Sequence, residues 1–311
     1  MQSTSAPPRG RAGFTKAMSG MRGRFRVFRL AGAYHRARRS GQAGAAWRHV
    51  PRQVRRPPMD DRALLELAAD FARRAAEAIM AVREGGFAVE RKRDFSPVTA
   101  ADRIAEALIV EGLREAAPGI PVVAEEEVEA GHVATLGDRF WLVDPLDGTR
   151  EFAEGTDSFA VCIGLVAGGR PLLGAVALPA TGELFGGIVG AGAWKKRGGE
   201  REKIAARRVP AEGPVVMASR HYAKDSRIAD FARAQRAQRI VNIGSAEKFC
   251  RLAEGSADLY PRFGPTMEWD TAAAEAVLRA AGGEVAEWDG TPMRYGKPGW
   301  RNPPFLARGA A

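Results

Sequence analysis

The sequence predicts an α/β protein in two parts, an α+β half followed by an α/β half, and three observations carry that prediction. Apolar residues recur at helical spacing from Asp60 and again after Thr99. A series of short strand-like runs then fills 120–189. Beyond them, strand-like runs alternate with helical stretches as far as Ala281.

The first helix places Leu64, Leu67, Phe71, Ala75, Ile79 and Val82 on one face and is stopped by Gly85 and Gly86. The second follows Thr99 and Asp102, which have the spacing of a capping box. It carries Ile104, Leu108 and Leu113 on one face and ends before Pro118 and Gly119. Strands are expected at 120–124, 140–143, 159–166, 172–178 and 184–189, with a Gly-rich loop or hairpin over 190–199. Further strands are expected at 215–218 and 240–243, and a last helix from Thr271 is closed by Gly282 and Gly283. The expected halves are 59–190 and 191–311, and no internal repeat is visible.

At 311 residues, 45% hydrophobic and 27% charged, the chain has the composition of a soluble globular protein and can bury a large core without disulfide staples. The longest uncharged apolar stretch, 159–168, falls far short of the roughly 20 residues of a membrane-spanning helix. Cys162 and Cys250 lie in apolar segments without metal-ligand spacing, which reads as reduced, buried thiols in a cytoplasmic protein. The net charge of +10 is local: residues 1–58 hold thirteen Arg and one Lys and no acidic residue, leaving 33 basic and 37 acidic residues elsewhere. That arm, rich in Arg, Gly, Ala, Ser and Pro, reads as disordered. It also matches an organelle transit peptide, a tail for nucleic acid or anionic lipid, or a stretch upstream of a true start at Met59. A nucleic-acid binder spreads its charge over a folded surface, so no specific nucleic acid is expected as partner. Weak peripheral contact with the cytoplasmic face of the inner membrane is compatible with the arm.

Four acidic segments place carboxylates where a strand meets a turn or a helix begins: Thr99 with Asp102, Glu125 to Glu127, Asp144 to Thr149, and Asp270. In the third, Asp144 emerges from a buried strand, Pro145 turns the chain, Asp147 returns three residues later, Gly148 allows close backbone approach and Thr149 adds a hydroxyl. Two carboxylates and a carbonyl in four residues suit a hard cation such as Mg²⁺, and the amides of Gly148 and Thr149 suit a phosphate. Each segment also has an ordinary structural reading. Asp-Pro-x-Asp-Gly makes a surface turn, three glutamates make a solvated turn, and Asp102 and Asp270 cap helices.

Taken together and in order, the segments resemble the lithium-sensitive, magnesium-dependent phosphatase superfamily that includes the inositol monophosphatases. Its two signatures are intact here, Asp144-Pro-Leu-Asp-Gly-Thr149 and Trp269-Asp-Thr-Ala-Ala273 followed by Ala281-Gly-Gly283. The stretches from Ser96 to Asp102, from Asp144 to Phe152, and from Ile243 through Thr266 are similar to the 3'(2'),5'-bisphosphate nucleotidase branch, the bacterial CysQ-type enzymes in particular. Inositol monophosphatases usually carry Asn where this chain has Glu151. The resemblance runs from about Met59 to Phe305 and leaves the arm uncovered.

This resemblance implies a layered αβαβα sandwich with a metal-binding first half and a substrate-binding second half. It implies that Glu125, Asp144, Asp147, Asp270 and the Leu146 carbonyl hold two or three Mg²⁺, and that Thr149, backed by Asp102, orients and deprotonates the attacking water. Gly148 and Thr149 would hold phosphate oxygens; Gly244, Ser245 and Lys248 match positions that hold the nucleotide's remaining phosphate, and Lys248 reads otherwise as a solvated helix lysine. His221 stands one position before the branch's usual histidine, in Ser219-Arg-His-Tyr222. The implied reaction removes the 3'-phosphate of adenosine 3',5'-bisphosphate to give AMP, with the sulfated analogue as a second substrate. The rivals are an inositol- or histidinol-phosphate phosphatase and a basic-tailed nucleic-acid- or membrane-binding protein on a relict fold. Intact carboxylates argue against the last.

Overall fold

The structure is a computed structural model describing residues 59–91 and 97–311; the basic arm over 1–58, with its expected disorder, lies outside the described residues. Helix α1 (Asp61–Gly85) starts where the Asp60 carboxylate accepts a hydrogen bond from the Ala63 amide and stops at Gly86, with φ of 78°. Its buried stripe includes Leu64, Ala68, Phe71, Ala75 and Ile79. A two-stranded ladder, β1 (Val89–Arg91) and β2 (Pro97–Thr99), leads into α2 (Ala100–Ala116). The buried face of α2 differs from the expected one. Ala101, Ala105, Ile109, Val110 and Leu113 turn inward, while Ile104 is exposed, because the small alanines let α2 lie close to α1.

The first sheet has seven strands in sequence order: β3 (Val122–Ala124), β4 (Arg139–Asp147), β5 (Ala160–Ala167), β6 (Arg170–Leu178), β7 (Glu183–Ile188), β8 (Gly192–Arg197) and β9 (Arg201–Ile204). Only β3 and β4 run parallel; the rest form an antiparallel meander. The Gly-rich segment is thus a strand pair of the first sheet. That sheet continues past residue 190 to Ile204. Two short helices, α3 (Glu125–Glu129) and α4 (Thr149–Ala153), leave the ends of β3 and β4.

The second sheet has the order β11-β10-β12-β16-β14, from β10 (Val215–Ser219), β11 (Arg239–Ile243), β12 (Leu259–Arg262), β14 (Glu284–Glu287) and β16 (Phe305–Arg308). Strand β10 is parallel to both its neighbours, with α5 (Ser226–Ala234) and α6 (Glu247–Ala253) in the crossovers. Strands β13 (Thr266–Met267) and β15 (Arg301–Asn302) pair beside the start of α7 (Glu268–Ala280).

Alternation along the strands divides the core in two. On β5, Val161, Ile163 and Leu165 join the core under α1 and α2, while Ala160, Cys162 and Val166 join the core that includes α6, α7 and the second sheet. Helix α7 is buried almost all round, which is the pattern of a helix covered on both sides. Its Ala272 and Ala273 bring it close to Gly164 and Gly174 of the first sheet. Helix α5 covers the outer face of β10 and β12 through Ala232, Val216 and Leu259. The layers are therefore αβαβα, as expected. Cys162 and Cys250 are free, buried thiols.

Candidate active site

Residues three apart on a regular strand point to opposite faces, so Asp144 and Asp147 need an irregularity to act together. The β4–β5 register supplies it: Asp144 opposes Cys162 and Asp147 opposes Ala160, so β4 carries one extra residue between them. Pro145, with no amide to give the ladder, sits in that bulge. The expected turn at Pro145 is thus a β-bulge within β4. Gly148 follows with φ of 96° and caps α4.

Asp102 serves two neighbours at once. Its Oδ2 accepts the Thr99 amide at 2.7 Å and the Thr99 hydroxyl at 2.8 Å, closing the capping box of α2. Its Oδ1 accepts the Thr149 hydroxyl at 2.9 Å. That hydroxyl is also 3.0 Å from the Leu146 carbonyl. Burial lifts the Asp102 carboxyl above the usual aspartate range, against the pull of its hydrogen bonds to Thr99 and Thr149. The capping reading and the catalytic reading of Asp102 describe the two oxygens of one carboxylate.

Asp144, Asp147 and Asp270 converge from β4 and the first turn of α7. Burial raises each above the usual range, and neighbouring charge adds to it: Glu125, Asp147 and Asp270 around Asp144, and Asp270 around Asp147. Backbone amides hold them in place. Leu146 N donates to Asp144 at 3.0 Å, Ala246 N to Asp147, and Met267 N to Asp270 at 2.9 Å. Helix α7 thus begins three residues before the expected Thr271, and Asp270, its third residue rather than the residue before it, binds the amide of the N-cap Met267 while facing the acidic cluster. Among the described residues no three His, Cys, Asp or Glu side chains close into a ready-made cation cage. The fit of a cation rests instead on donor chemistry. Hard carboxylate oxygens that raise one another's pKa gain most from a small divalent ion such as Mg²⁺.

A cleft of about 320 Å³ opens over this cluster, lined by Glu125, Asp147, Gly148, Thr149 and Asp270 together with residues of the second sheet and its loops. Lys248 lines it but is only 3% exposed. Its ammonium donates to the carbonyls of Ile243 and Ser245 and lies 5.1 Å over the Tyr260 ring, and burial pulls its pKa down. Lys248 is thus a buried residue whose ammonium holds its own loop together while lining the cleft, which the solvated-lysine reading did not anticipate. Ser245, in that loop and on the cleft, has φ of 48°, an unusual conformation for a residue with a side chain. Gly244 packs against Glu151, and His221 Nε2 is 3.0 Å from the Glu151 carboxylate.

Several residues of the site escaped sequence reasoning. Arg262 lines the cleft, donates to the carbonyls of Gly264 and Pro265, and lies 4.9 Å over the ring of Tyr222, another lining residue. The signal for Arg262 was its place in the run from Tyr260 to Thr266. Asn302 donates to Thr266 Oγ1, the Met267 carbonyl and Thr271 Oγ1, fixing the first turn of α7. Buried Glu106 accepts the Glu126 amide at 2.8 Å and steadies the start of α3, where Glu125 sits. Nothing local marks either residue in the sequence.

Comparison with known proteins gives a family match and individual relatives. The model of the inositol monophosphatase family matches residues 60–307. The 3'(2'),5'-bisphosphate nucleotidase CysQ of Salmonella typhimurium is 44% identical over 234 residues, 75% of this chain and 94% of that protein. CysQ of Escherichia coli K12 is 43% identical with the same coverage. Among solved structures, CysQ of Bacteroides thetaiotaomicron superposes with a TM-score of 0.67 at 35% identity, covering 80% of this chain and 97% of that one. An inositol monophosphatase from Anabaena (Nostoc) gives 0.64 at 28% identity, covering 80% and 91%.

Proposed function

The chain belongs to the inositol monophosphatase family, and from that premise we propose that it is a phosphatase that removes the 3'-phosphate of adenosine 3',5'-bisphosphate, giving AMP and phosphate. The sulfated analogue is its second substrate. One observation carries the reading. A single cleft is lined both by an acidic set, Asp147 and Asp270 with the Thr149 hydroxyl, and by Arg262 with Tyr222. A phosphate monoester needs only the first set; a nucleotide with a second phosphate uses both.

Glu125, Asp144, Asp147, Asp270 and the Leu146 carbonyl are the residues that would hold Mg²⁺, in the two or three positions the family resemblance implies. When bound, the metal makes water more acidic and neutralises charge on the leaving oxygen and phosphate. The chain's own groups supply the rest. Thr149, which lines the cleft, donates its hydroxyl hydrogen to Asp102, and its oxygen accepts from a water held for attack. The proton leaving that water passes through the Thr149 oxygen to Asp102, whose carboxyl burial has made more basic. The Gly148 and Thr149 amides offer donors to the phosphate oxygens. Arg262 meets the phosphate that is not cleaved.

The test is phosphate release from a panel containing adenosine 3',5'-bisphosphate, its sulfated analogue, inositol phosphate and histidinol phosphate, with and without Mg²⁺. The bisphosphate should give the highest kcat/KM, and only with the metal. An outright preference for inositol or histidinol phosphate refutes the reading.

A further inference from the structure

Glu151 stands two residues beyond Thr149 on α4 and is 3% exposed. Its Oε1 lies 3.0 Å from His221 Nε2, on the turn Arg220–Tyr222 that follows β10. The same oxygen touches a second segment. A Cβ on Gly244 would stand 2.6 Å from Glu151 Oε1 and 2.6 Å from the Ser158 carbonyl, so the backbone passes there only as glycine. From Gly244 the chain runs through Ser245 to Ala246, whose amide holds Asp147. One carboxylate on α4 therefore meets two of the segments with which the second sheet walls the cleft, those that follow β10 and β11.

A carboxylate withdrawn from water demands a partner, so this contact resists displacement. His221 draws the turn Arg220–Tyr222 onto α4, and Tyr222 travels with it. The Tyr222 ring lies under the Arg262 guanidinium, and its far end sits against Gly264. The position of the Tyr222–Arg262 wall relative to Thr149 thus depends on the Glu151–His221 contact.

We propose that Glu151 and His221 are a positioning pair that sets substrate specificity, by docking the turn Arg220–Tyr222 on α4 and holding the Tyr222–Arg262 wall in register with Thr149. A nucleoside bisphosphate reaches both and depends on the register; a compact phosphate monoester reaches only the acidic set with Thr149. This rests on the bisphosphate reading of the cleft given above.

The experiment compares the full chain with Glu151→Gln, His221→Ala, His221→Gln and the Glu151→Gln/His221→Ala double variant, on adenosine 3',5'-bisphosphate and on p-nitrophenyl phosphate. Loss of one charge-assisted contact should raise KM for the bisphosphate about tenfold, with kcat within about threefold. The ratio of kcat/KM for bisphosphate over p-nitrophenyl phosphate should fall at least about fivefold, and the double variant should match the worse single one because one contact is lost either way. His221→Gln, which keeps a donor, should recover part of the ratio. Thermal melting identifies a variant that fails to fold; if His221→Ala does, the isosteric Glu151→Gln carries the test. A ratio within about twofold of wild type, or losses that multiply in the double variant, overturns the pairing alone. A wild-type enzyme without preference for the bisphosphate overturns the substrate reading, and the proposal with it.

Discussion

Thr149→Ala removes one hydroxyl and separates the catalytic from the structural work of Asp102. In the folded protein that hydroxyl satisfies Asp102 Oδ1 at 2.9 Å, while Oδ2 keeps its two bonds from Thr99. Leaving a buried acceptor unmade costs about 1–3 kcal/mol. Thr149 is only half-buried beside the cleft, so water can replace its hydroxyl and the cost falls near about 1 kcal/mol. For a folded unit of this size that is a drop in Tm of about 2–4 °C. The rate should suffer far more. General-base assistance is worth about 10²–10⁴, or about 3–5 kcal/mol of barrier. Phosphate release under saturating Mg²⁺ and substrate should therefore show kcat down by two orders or more, with KM little changed and the melting curve nearly intact. Thr149→Ser, which restores the hydroxyl, should recover most of the rate. A Thr149→Ala enzyme with kcat within about threefold of wild type would refute the water-orienting role and leave Asp102 and Thr149 with only their cap and turn.

Further outcomes follow from the same geometry. Chelation should abolish turnover, and Asp144→Asn or Asp270→Asn should lower kcat by about two orders or more while the protein stays folded by circular dichroism; full activity in excess chelator excludes the metal. Lys248→Ala should depress activity on bisphosphate and monophosphate alike and lower Tm, because a buried ammonium that organises Ile243, Ser245 and Asp147 is lost. Arg262→Ala should instead raise KM for the bisphosphate about tenfold or more, as expected for a lost charged contact; selective damage from Lys248→Ala would reverse the two assignments. Glu275 is pushed up to about 7 by burial, so the folded state holds a proton that the unfolded chain releases near pH 4.5, and stability falls as pH rises between those values. Glu275→Gln keeps an acceptor for the Tyr295 hydroxyl and removes that slope. It should gain up to about 3 kcal/mol relative to wild type across the window, and parallel stability–pH curves would refute this.

The fold was legible in the sequence where elements are long or carry their own stop signals. Both N-terminal helices, the strands from β3 to β7, and α7 fall where periodicity, caps and glycine pairs put them. Strands β12, β14 and β16 did not declare themselves, because four residues carry too short a period to stand out. Helix α2 was placed correctly but turned wrongly. Its buried face is made of alanines whose weak hydrophobic signal is outweighed by exposed Ile104. Among site residues, the acidic segments were visible as segments because each combines a strand end with a turn or cap signal. The direction of Lys248 was not, since the left-handed Ser245 and the carbonyls it presents belong to a loop conformation that composition does not encode. The bulge at Pro145 is a similar case: sequence showed two aspartates three apart, and only the register explains how they share a face.

Asp270 lines the cleft from the first turn of a helix whose body is buried between the two sheets. The buried body of such a helix has no free side on which to fray, so its amides exchange with water when the layers part. Helix α5, held on the outer face by a small cluster of Ala232, Val216 and Leu259, opens by itself at lower free energy. Ligand bound at the carboxylates therefore adds its binding free energy to the opening that exposes the α7 amides and leaves the local opening of α5 unchanged. The molecule tightens at its centre on loading while its outermost helix keeps breathing at the same rate.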